Sequence, residues 1–416
     1  ACCPLRLTSA LGVRFHCLIA PLTLALAVTL AETRAAIPAD ALDDPLYAKG
    51  FLVVTYYTGV APGGSETDGT RTTRTTNLNV ALRDAYNNNL ALYFPPGTYQ
   101  VNDTLRAYTA LVNPGGSGFA VPRNAVAVVG STLKARPTIR LVPSAGDPRF
   151  NLVGTPRPVV AFKNFDTLPP LQDNPSTPLI DERDGGADDP SSGYFQMLRG
   201  IDIDCGEKAG AIGLYFNQAQ NSSIENVKVT ATNAHTGILG LPARGWGAVN
   251  IEVVGGQYGI DTNGTGNAGS VVAGATLTDQ TEAAFRHNGF VPVTLVGFKI
   301  TSTTGSIKPV LTIQPSGAEN ACGINLVDGR IEMDANPSIA VIDNGNANNF
   351  YARNVYIKTS TSPTSSSNLI KSGTLATVTA IGVWKRIDEY SYCTTAVDNP
   401  SGATGRASYR QINTTL

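Results

Sequence analysis

The sequence predicts an all-β fold, a single-stranded parallel β-helix or solenoid. Two observations support it: a recurring four-residue signature and a turn-rich composition. The signature is a Gly, Asn or Asp followed by apolar, polar and apolar residues, and it starts at Gly200, Asn226, Asn250, Gly274, Gly297, Asp328 and Asn354. The spacing runs from 23 residues (Gly274 to Gly297) to 31 residues (Gly297 to Asp328). A period in this range is typical of a solenoid.

Each repeat is predicted to contain a corner and two strands. The leading Gly, Asn or Asp suits a corner in the left-handed backbone region, and the next three residues form a strand with one buried face. A second short apolar run follows each signature, at 212–216, 238–241, 260, 285, 311–313, 339–342 and 369–370. Repeats of this length leave no room for a full helix, and the regularly spaced Leu and Asn of leucine-rich repeats are absent.

The composition agrees with a turn-rich β protein. The chain has 42 Gly and 26 Pro, with 15% charged and 7% aromatic residues. Its formal net charge is -1. Because nucleic-acid binding depends on a basic surface, the sequence gives no support for a nucleic-acid partner.

The first 36 residues are predicted to be a signal peptide. Arg6 and Arg14 precede an apolar run at 17–30, and small residues follow at Ala31, Ala35 and Ala36. That run is too short to cross a bilayer, so we expect no membrane span. The interpretation predicts a secreted protein, extracellular or periplasmic.

The segment before the first signature contains a series of motifs. In order, they are an apolar strand at 51–59, Asp-Gly-Thr at 68–70, a polar helix near 77–88, Leu-Tyr-Phe-Pro-Pro-Gly-Thr-Tyr at 92–99 and Asp-Thr-Leu at 103–105. This series resembles the start of the right-handed parallel β-helix proteins of the pectate-lyase superfamily, and the signatures extend the resemblance over most of the chain. It implies a right-handed coil with an N-terminal capping helix.

The resemblance divides the chain into four parts: signal peptide 1–36, N-terminal strand and capping helix 37–89, parallel β-helix 90–395 and C-terminal tail or cap 396–416. It implies a polysaccharide or oligosaccharide partner. It does not choose a subfamily, because the Asn-Thr-Asp, Asp-Asp, Gly-His-Gly and Arg-Ile-Lys motifs of the polygalacturonases are absent. The sequence leaves open whether the protein forms a homotrimer.

Strand alternation places the predicted catalytic residues on the outer face of the first three repeats. These residues are Asp202, Asp204, Lys228 and Glu252. Two positions along a strand span about 6.6 Å and two rungs span about 9.6 Å. Both separations suit inverting glycoside hydrolysis, in which a water stands between acid and base. The competing interpretation is a structural ion ladder on a solvated sheet.

A polysaccharide lyase is the alternative enzyme, with Lys228 as the base that removes the proton next to a uronate carboxylate. No cofactor is expected for a hydrolase. A lyase could use Ca²⁺, with the acidic residues Asp181, Glu182, Asp184, Asp188 and Asp189 as candidate ligands. The competing interpretation of that run is a solvated loop, because its spacing matches no fixed calcium motif.

Substrate-binding candidates lie on the second strand of each repeat and in one loop. They are Tyr215, His235, Trp246, Asp261, Arg286 and His287. Tryptophan is a common sugar-stacking platform, and the glycines around Trp246 favour exposure. Three functional classes are therefore predicted in order: a polysaccharide-cleaving enzyme, a non-catalytic carbohydrate-binding or surface protein, and an epimerase or isomerase.

Overall fold

The computed structural model describes residues 37–63, 66–112, 121–122, 124–131, 135–165, 193–262, 269–287, 292–303, 308, 310–313, 323–334, 340–343, 350–360, 370–371, 382–393 and 407–413. Nearly all of its strands pair in parallel with strands one coil away, which is the arrangement of a parallel β-helix. The signal peptide predicted at 1–36 lies outside the described residues.

The helices are α1 (Ala39–Leu42) and α2 (Asp68–Asn88). The strands of the first half are β1 (Phe51–Val53), β2 (Ala91–Phe94), β3 (Thr98–Val101), β4 (Leu105–Val112), β5 (Val121–Pro122), β6 (Ala127–Gly130), β7 (Thr138–Leu141), β8 (Arg157–Phe165), β9 (Met197–Arg199), β10 (Asp202–Asp204), β11 (Ala211–Phe216), β12 (Ser223–Thr230) and β13 (Thr236–Leu239). The strands of the second half are β14 (Gly247–Val254), β15 (Tyr258–Asp261), β16 (Ser270–Ala273), β17 (Thr276–Thr278), β18 (Ala283–His287), β19 (Val293–Val296), β20 (Lys299–Ser302), β21 (Leu311–Ile313), β22 (Ile324–Met333), β23 (Ile342–Asp343), β24 (Phe350–Lys358), β25 (Ile370–Lys371), β26 (Lys385–Cys393) and β27 (Ala407–Asn413).

Each complete coil contributes to three faces. Face 1 is the strand segment before the signature corner, face 2 is the segment after it, and face 3 is the second predicted strand. The inward column of face 1 runs through Leu92, Val128, Leu198, Ile224, Ala248, Val272, Leu295, Leu326 and Ala352. The sequence predicted two strands per repeat, and it missed face 1 because that segment runs directly into the corner.

The corner between faces 1 and 2 was predicted correctly. All seven corner residues have positive φ, from 52° at Asn250 to 71° at Gly274. The Nδ2 of Asn250 donates to Asn226 Oδ1 at 2.7 Å, and Asn354 Nδ2 donates to Asp328 Oδ1 at the same distance. The amide and carboxylate side chains therefore tie neighbouring coils together at a corner where the backbone takes a left-handed conformation.

The helix predicted near 77–88 is present, and α2 begins earlier, at Asp68. Thr67 caps it, because its Oγ1 accepts a hydrogen bond from the Thr70 amide at 3.2 Å. Leu78, Leu82 and Tyr86 are buried in the same core cluster as the coil. That the helix closes the end of the coil stays a prediction.

Two regions differ from the sequence-based expectation. Residues 106–195 contain none of the sequence signatures, but β6, β7 and β8 lie within this range and add rungs to the coil. At the other end, β26 pairs antiparallel with β24, and β27 pairs antiparallel with β26. The parallel coil on these faces therefore ends at Lys358, before the boundary predicted at 395, and the predicted tail contains a strand.

Candidate functional site

The predicted catalytic residues lie on adjacent strands of face 2. An outer column, defined by strand register, runs through Thr138, Asp202, Lys228, Glu252, Thr276, Lys299, Arg330 and Tyr356. All these side chains from Asp202 onward point away from the core, as the alternation predicted, and none is fully buried.

Each predicted catalytic carboxylate has a basic partner. Arg136 Nε donates to Asp202 Oδ1 at 2.7 Å, and Lys228 Nζ donates to Glu252 Oε1 at 2.8 Å. Arg140 Nε lies 3.3 Å from Asp204 Oδ2. The four predicted residues are thus brought together on neighbouring rungs, but as members of ion pairs. This geometry matches the structural ion ladder that the sequence left as an alternative.

The group predicted on the second strand does not form one open surface. Tyr215 is 4% exposed and packs in a second apolar cluster on the outer side of face 3. Asp261 is 1% exposed and forms an ion pair with Arg286, whose guanidinium lies 3.7 Å from the centre of the Tyr258 ring. Both residues are therefore buried, which corrects the prediction that they bind substrate at the surface.

The two histidines occupy different environments. His287 is completely buried, and its Nδ1 lies 2.8 Å from the hydroxyl of Thr262. It follows Arg286 on the strand, so alternation turns the two side chains to opposite sides. His235 is half-buried, with its ring 5.6 Å from that of Tyr258. The two histidines predicted to bind substrate therefore differ in accessibility, since His235 is half-buried and His287 is enclosed.

Trp246 is 58% exposed, as its glycine-rich loop predicted. Val249 and Val271, also exposed, lie on the neighbouring strands of face 1. This tryptophan stands away from the larger cavity described next. The acidic run from Asp181 to Asp189, the candidate calcium ligands, lies outside the described residues.

An open groove lies beside Trp384 on the outer surface, and we call it the Trp384 groove. Its volume is 750 Å³ and its lining comprises Asp328, Gly329, Arg330, Asn354, Tyr356, Gly382, Val383 and Trp384. Trp384 directly precedes β26, whose antiparallel pairing opposes Arg386 to Tyr356. The Gly382 amide donates to the Thr359 carbonyl at 3.1 Å, which holds the preceding turn against the last rung.

Cations surround the indole ring. The Arg330 guanidinium lies 4.1 Å from the ring centre, and Lys358 Nζ lies 5.8 Å from it. Both distances fall within the range of cation–π attraction. Lys358 also donates to Glu332 Oε1 at 3.1 Å. The groove therefore combines an aromatic platform with hydrogen-bonding groups from the side chains of Arg330, Asn354 and Tyr356.

The smaller cavity, of 340 Å³, opens at the first rungs of face 1. Phe51 and Tyr93 meet edge to face in its wall, with ring centres 6.4 Å apart. Its charged lining residue, Arg199, is already 3.5 Å from Glu225. This cavity therefore offers apolar surface without an available charge.

Sequence reasoning missed Trp384. It lies beyond the last signature, and its partner Arg330 comes from 54 positions earlier (384 − 330 = 54). The rarity of tryptophan was the available signal, since the chain has two. The same rarity drew attention to Trp246 instead. Nothing in the sequence pattern indicated that the strand after Trp384 would pair antiparallel with the last rung.

Comparisons with solved structures return distant matches. Geobacillus virus E2 ORF18 is 11% identical, with a TM-score of 0.37, covering 89% of this chain and 78% of that one. The protein sacteLam55A from Streptomyces sp. SirexAA-E, solved with glucose, is 9% identical with a TM-score of 0.39, covering 80% and 57%. PfbA, a surface adhesin of Streptococcus pneumoniae, is 11% identical with a TM-score of 0.32, covering 86% and 100%.

No protein-family model matches the chain, and no curated protein matches it. At these identities and TM-scores the structural comparisons assign no function, and the fold assignment rests on the strand register. Within the described ranges, no helix is both long and apolar enough to cross a membrane.

Proposed function

We propose that this protein is a secreted, right-handed β-helix that binds polysaccharide, and that the Trp384 groove holds the sugar chain. The observation that carries the proposal is the groove itself: an open cavity of 750 Å³ in which an indole ring lies beside arginine, asparagine and tyrosine side chains. Sugar sites need this combination, because a sugar ring has an apolar face and a rim of hydroxyl groups. We propose a right-handed coil because connections between parallel strands are strongly biased to be right-handed.

The two tryptophans make a matched pair of reporters. In Trp246→Phe the indole emission comes from Trp384, and in Trp384→Phe it comes from Trp246. We expect titration with a bound polysaccharide to change the emission of Trp246→Phe and to leave Trp384→Phe unchanged. Trp384→Ala should weaken binding by about 30-fold or more, the loss typical of a central aromatic anchor. The reverse pattern would move the site to Trp246.

Hydrolysis is the second candidate function. One observation favours it: the side chains of Asp202 and Glu252 are 24% and 40% exposed on the same outer column, two rungs apart with Lys228 between them. A substrate could therefore reach both carboxylates, at a separation that suits an inverting mechanism. The lyase alternative is less favoured, because Lys228 Nζ donates to Glu252, whereas a lysine that acts as a base must be an unprotonated amine that faces the substrate.

Product analysis separates the candidates. A hydrolase yields new reducing ends without near-ultraviolet absorbance, and Asp202→Asn or Glu252→Gln should then lower turnover by about 100-fold or more. Glu332→Gln is the matched control. Glu332 is also an ion-paired carboxylate on the same face, but it lies on the later rungs, towards the other end of the coil. A product that absorbs in the near ultraviolet, lost in Lys228→Ala, would establish the lyase instead. If the protein binds a polysaccharide but yields no product, it is a carbohydrate-binding protein.

A further inference from the structure

Resting on the proposed function, we infer that the Trp384 groove takes a sugar unit bearing an anionic group, a carboxylate or a sulfate, and that Lys299 and Arg330 bind that group. The two residues are register partners on neighbouring strands, β20 and β22. Neighbouring strands lie about 4.8 Å apart, and like charges directly opposite each other destabilise a sheet. The repulsion between these two positive charges destabilises the free protein, and a bound anion would remove it.

Among the described residues, no carboxylate forms an ion pair with Lys299 or Arg330, and both are exposed. The neighbouring cations are already engaged, Lys358 with Glu332 and Arg386 with Asp388.

One carboxylate does line the groove. Asp328 is the corner residue, and its Oδ1 accepts a hydrogen bond from Asn354. This contact, rather than an ion pair with Arg330, holds the carboxylate. The positive charge of Lys299 and Arg330 thus remains available to a ligand.

The position of Arg330 couples charge recognition to stacking. Its guanidinium lies over the indole of Trp384, so a sugar that reaches the aromatic platform also meets the planar donors of the arginine. A guanidinium matches the geometry of a carboxylate or sulfate, to which it can donate two parallel hydrogen bonds. Lys299, one rung away, supplies a second charge to the same anion or to that of the next sugar unit.

The test uses the full chain and two pairs of polymers that differ in charge: polygalacturonate with its carboxyl-reduced galactan, and dextran sulfate with dextran. We expect at least one charged polymer to bind about tenfold or more tightly than its neutral counterpart, with affinity that falls as salt rises. The charged polymer that binds better identifies the group as carboxylate or sulfate.

Single substitutions localise the effect. Lys299→Gln should weaken binding of that charged polymer by about tenfold and leave the weaker binding of its neutral counterpart unchanged. Arg330→Gln also removes a groove-lining donor, so it should weaken binding of both polymers, and that of the charged polymer by about tenfold more than that of the neutral one. Arg353→Gln is the matched control, because Arg353 is exposed on β24 in face 1, outside the groove lining. It should change affinity less than twofold, within the range of a surface substitution.

Three results would overturn the inference: charged and neutral polymers bind equally, neither charged polymer binds, or Arg330→Gln binds like the wild type. The emission of Trp384 in Trp246→Phe separates this failure from that of the proposed function. If neutral polymers bind and change that emission, polysaccharide binding at the groove stands while the anionic preference falls. If no polymer changes it, both fall.

Discussion

The outer column of face 2 has two charged stretches, and they are arranged in opposite ways. On the earlier rungs Asp202, Lys228 and Glu252 alternate in sign, and the flanking Arg136 completes the pairing. On the later rungs Lys299 stands opposite Arg330, and no carboxylate in the described part of the chain pairs with either. Alternating charges stabilise strand stacking, whereas adjacent like charges oppose it. The first stretch therefore has the charge order that stabilises strand stacking, and the second, which lacks that order, is the one proposed above to bind a ligand.

The floor of the Trp384 groove gives the largest expected effect. Gly329 lies between Asp328 and Arg330, and a Cβ added to it would lie 2.0 Å from Cζ of the buried Phe298 ring. Gly329→Ala should therefore lower the free energy of unfolding by about 1–3 kcal/mol, the usual cost of overpacking, and weaken polysaccharide binding. Urea denaturation and a binding titration measure the two effects.

A matched glycine is available in α2. A Cβ added to Gly69 would have no atom within 4 Å apart from those of its chain neighbours. Gly69→Ala should therefore be neutral or stabilising by up to about 1 kcal/mol. On the earlier rungs the equivalent positions hold Val227 and Ile251, which fit without strain. A Gly329→Ala protein as stable as the wild type would show that the groove floor is not specialised.

Charge reversal compares the two stretches directly. Lys228→Glu places three negative charges in succession and should destabilise the protein by about 1–2 kcal/mol at low salt. Arg330→Glu places opposite charges side by side and should be neutral or stabilising by up to about 0.5 kcal/mol. Both effects should shrink at high salt, because these side chains are solvent-exposed. Destabilisation of similar size by both substitutions would contradict the distinction between the stretches.

Much of the fold was predictable because it follows from local rules. A left-handed corner admits Gly, Asn and Asp, so the corner residues formed a visible ladder and all have positive φ. Face 1 was missed because Ile224 and Leu198 sit in short segments whose pattern merges with the signature. The antiparallel strand β26 was missed because its pairing with β24 depends on contacts distant in sequence.

The site was less predictable than the fold. Alternation correctly turned Asp202, Lys228 and Glu252 outward, but it could not show that Arg136 would pair with Asp202 across 66 positions. Nor could it show that Tyr215 and Asp261, outward on their strands, would be buried. Burial and pairing depend on which segments lie over a face, and period-two patterns contain no such information.

Acid provides the smallest and most local test, since it removes carboxylate charge and leaves Lys299 and Arg330 charged. Near the earlier rungs Arg149 bridges Asp147 and Asp103, at 2.6 Å and 3.0 Å. Burial acts to raise the pKa of Asp147, but hydrogen bonds and charge from Arg149 outweigh it and hold that pKa below its ordinary value. Asp147 therefore stabilises the fold above its unfolded pKa of about 3.9, and this contribution is lost as the pH falls through the lower folded pKa.

We expect Arg149→Gln to lower the free energy of unfolding by about 1 kcal/mol at pH 6, with the difference from wild type shrinking below about pH 4. Denaturant unfolding at each pH measures this difference. Amide hydrogen exchange in the wild type should show protection falling in acid at 202–204, 223–230 and 247–254 before it falls at 299–302, because the pairs on the earlier rungs require ionised carboxylates. Loss of protection that begins at 299–302 would mean that this part of the later rungs, too, depends on carboxylate pairing.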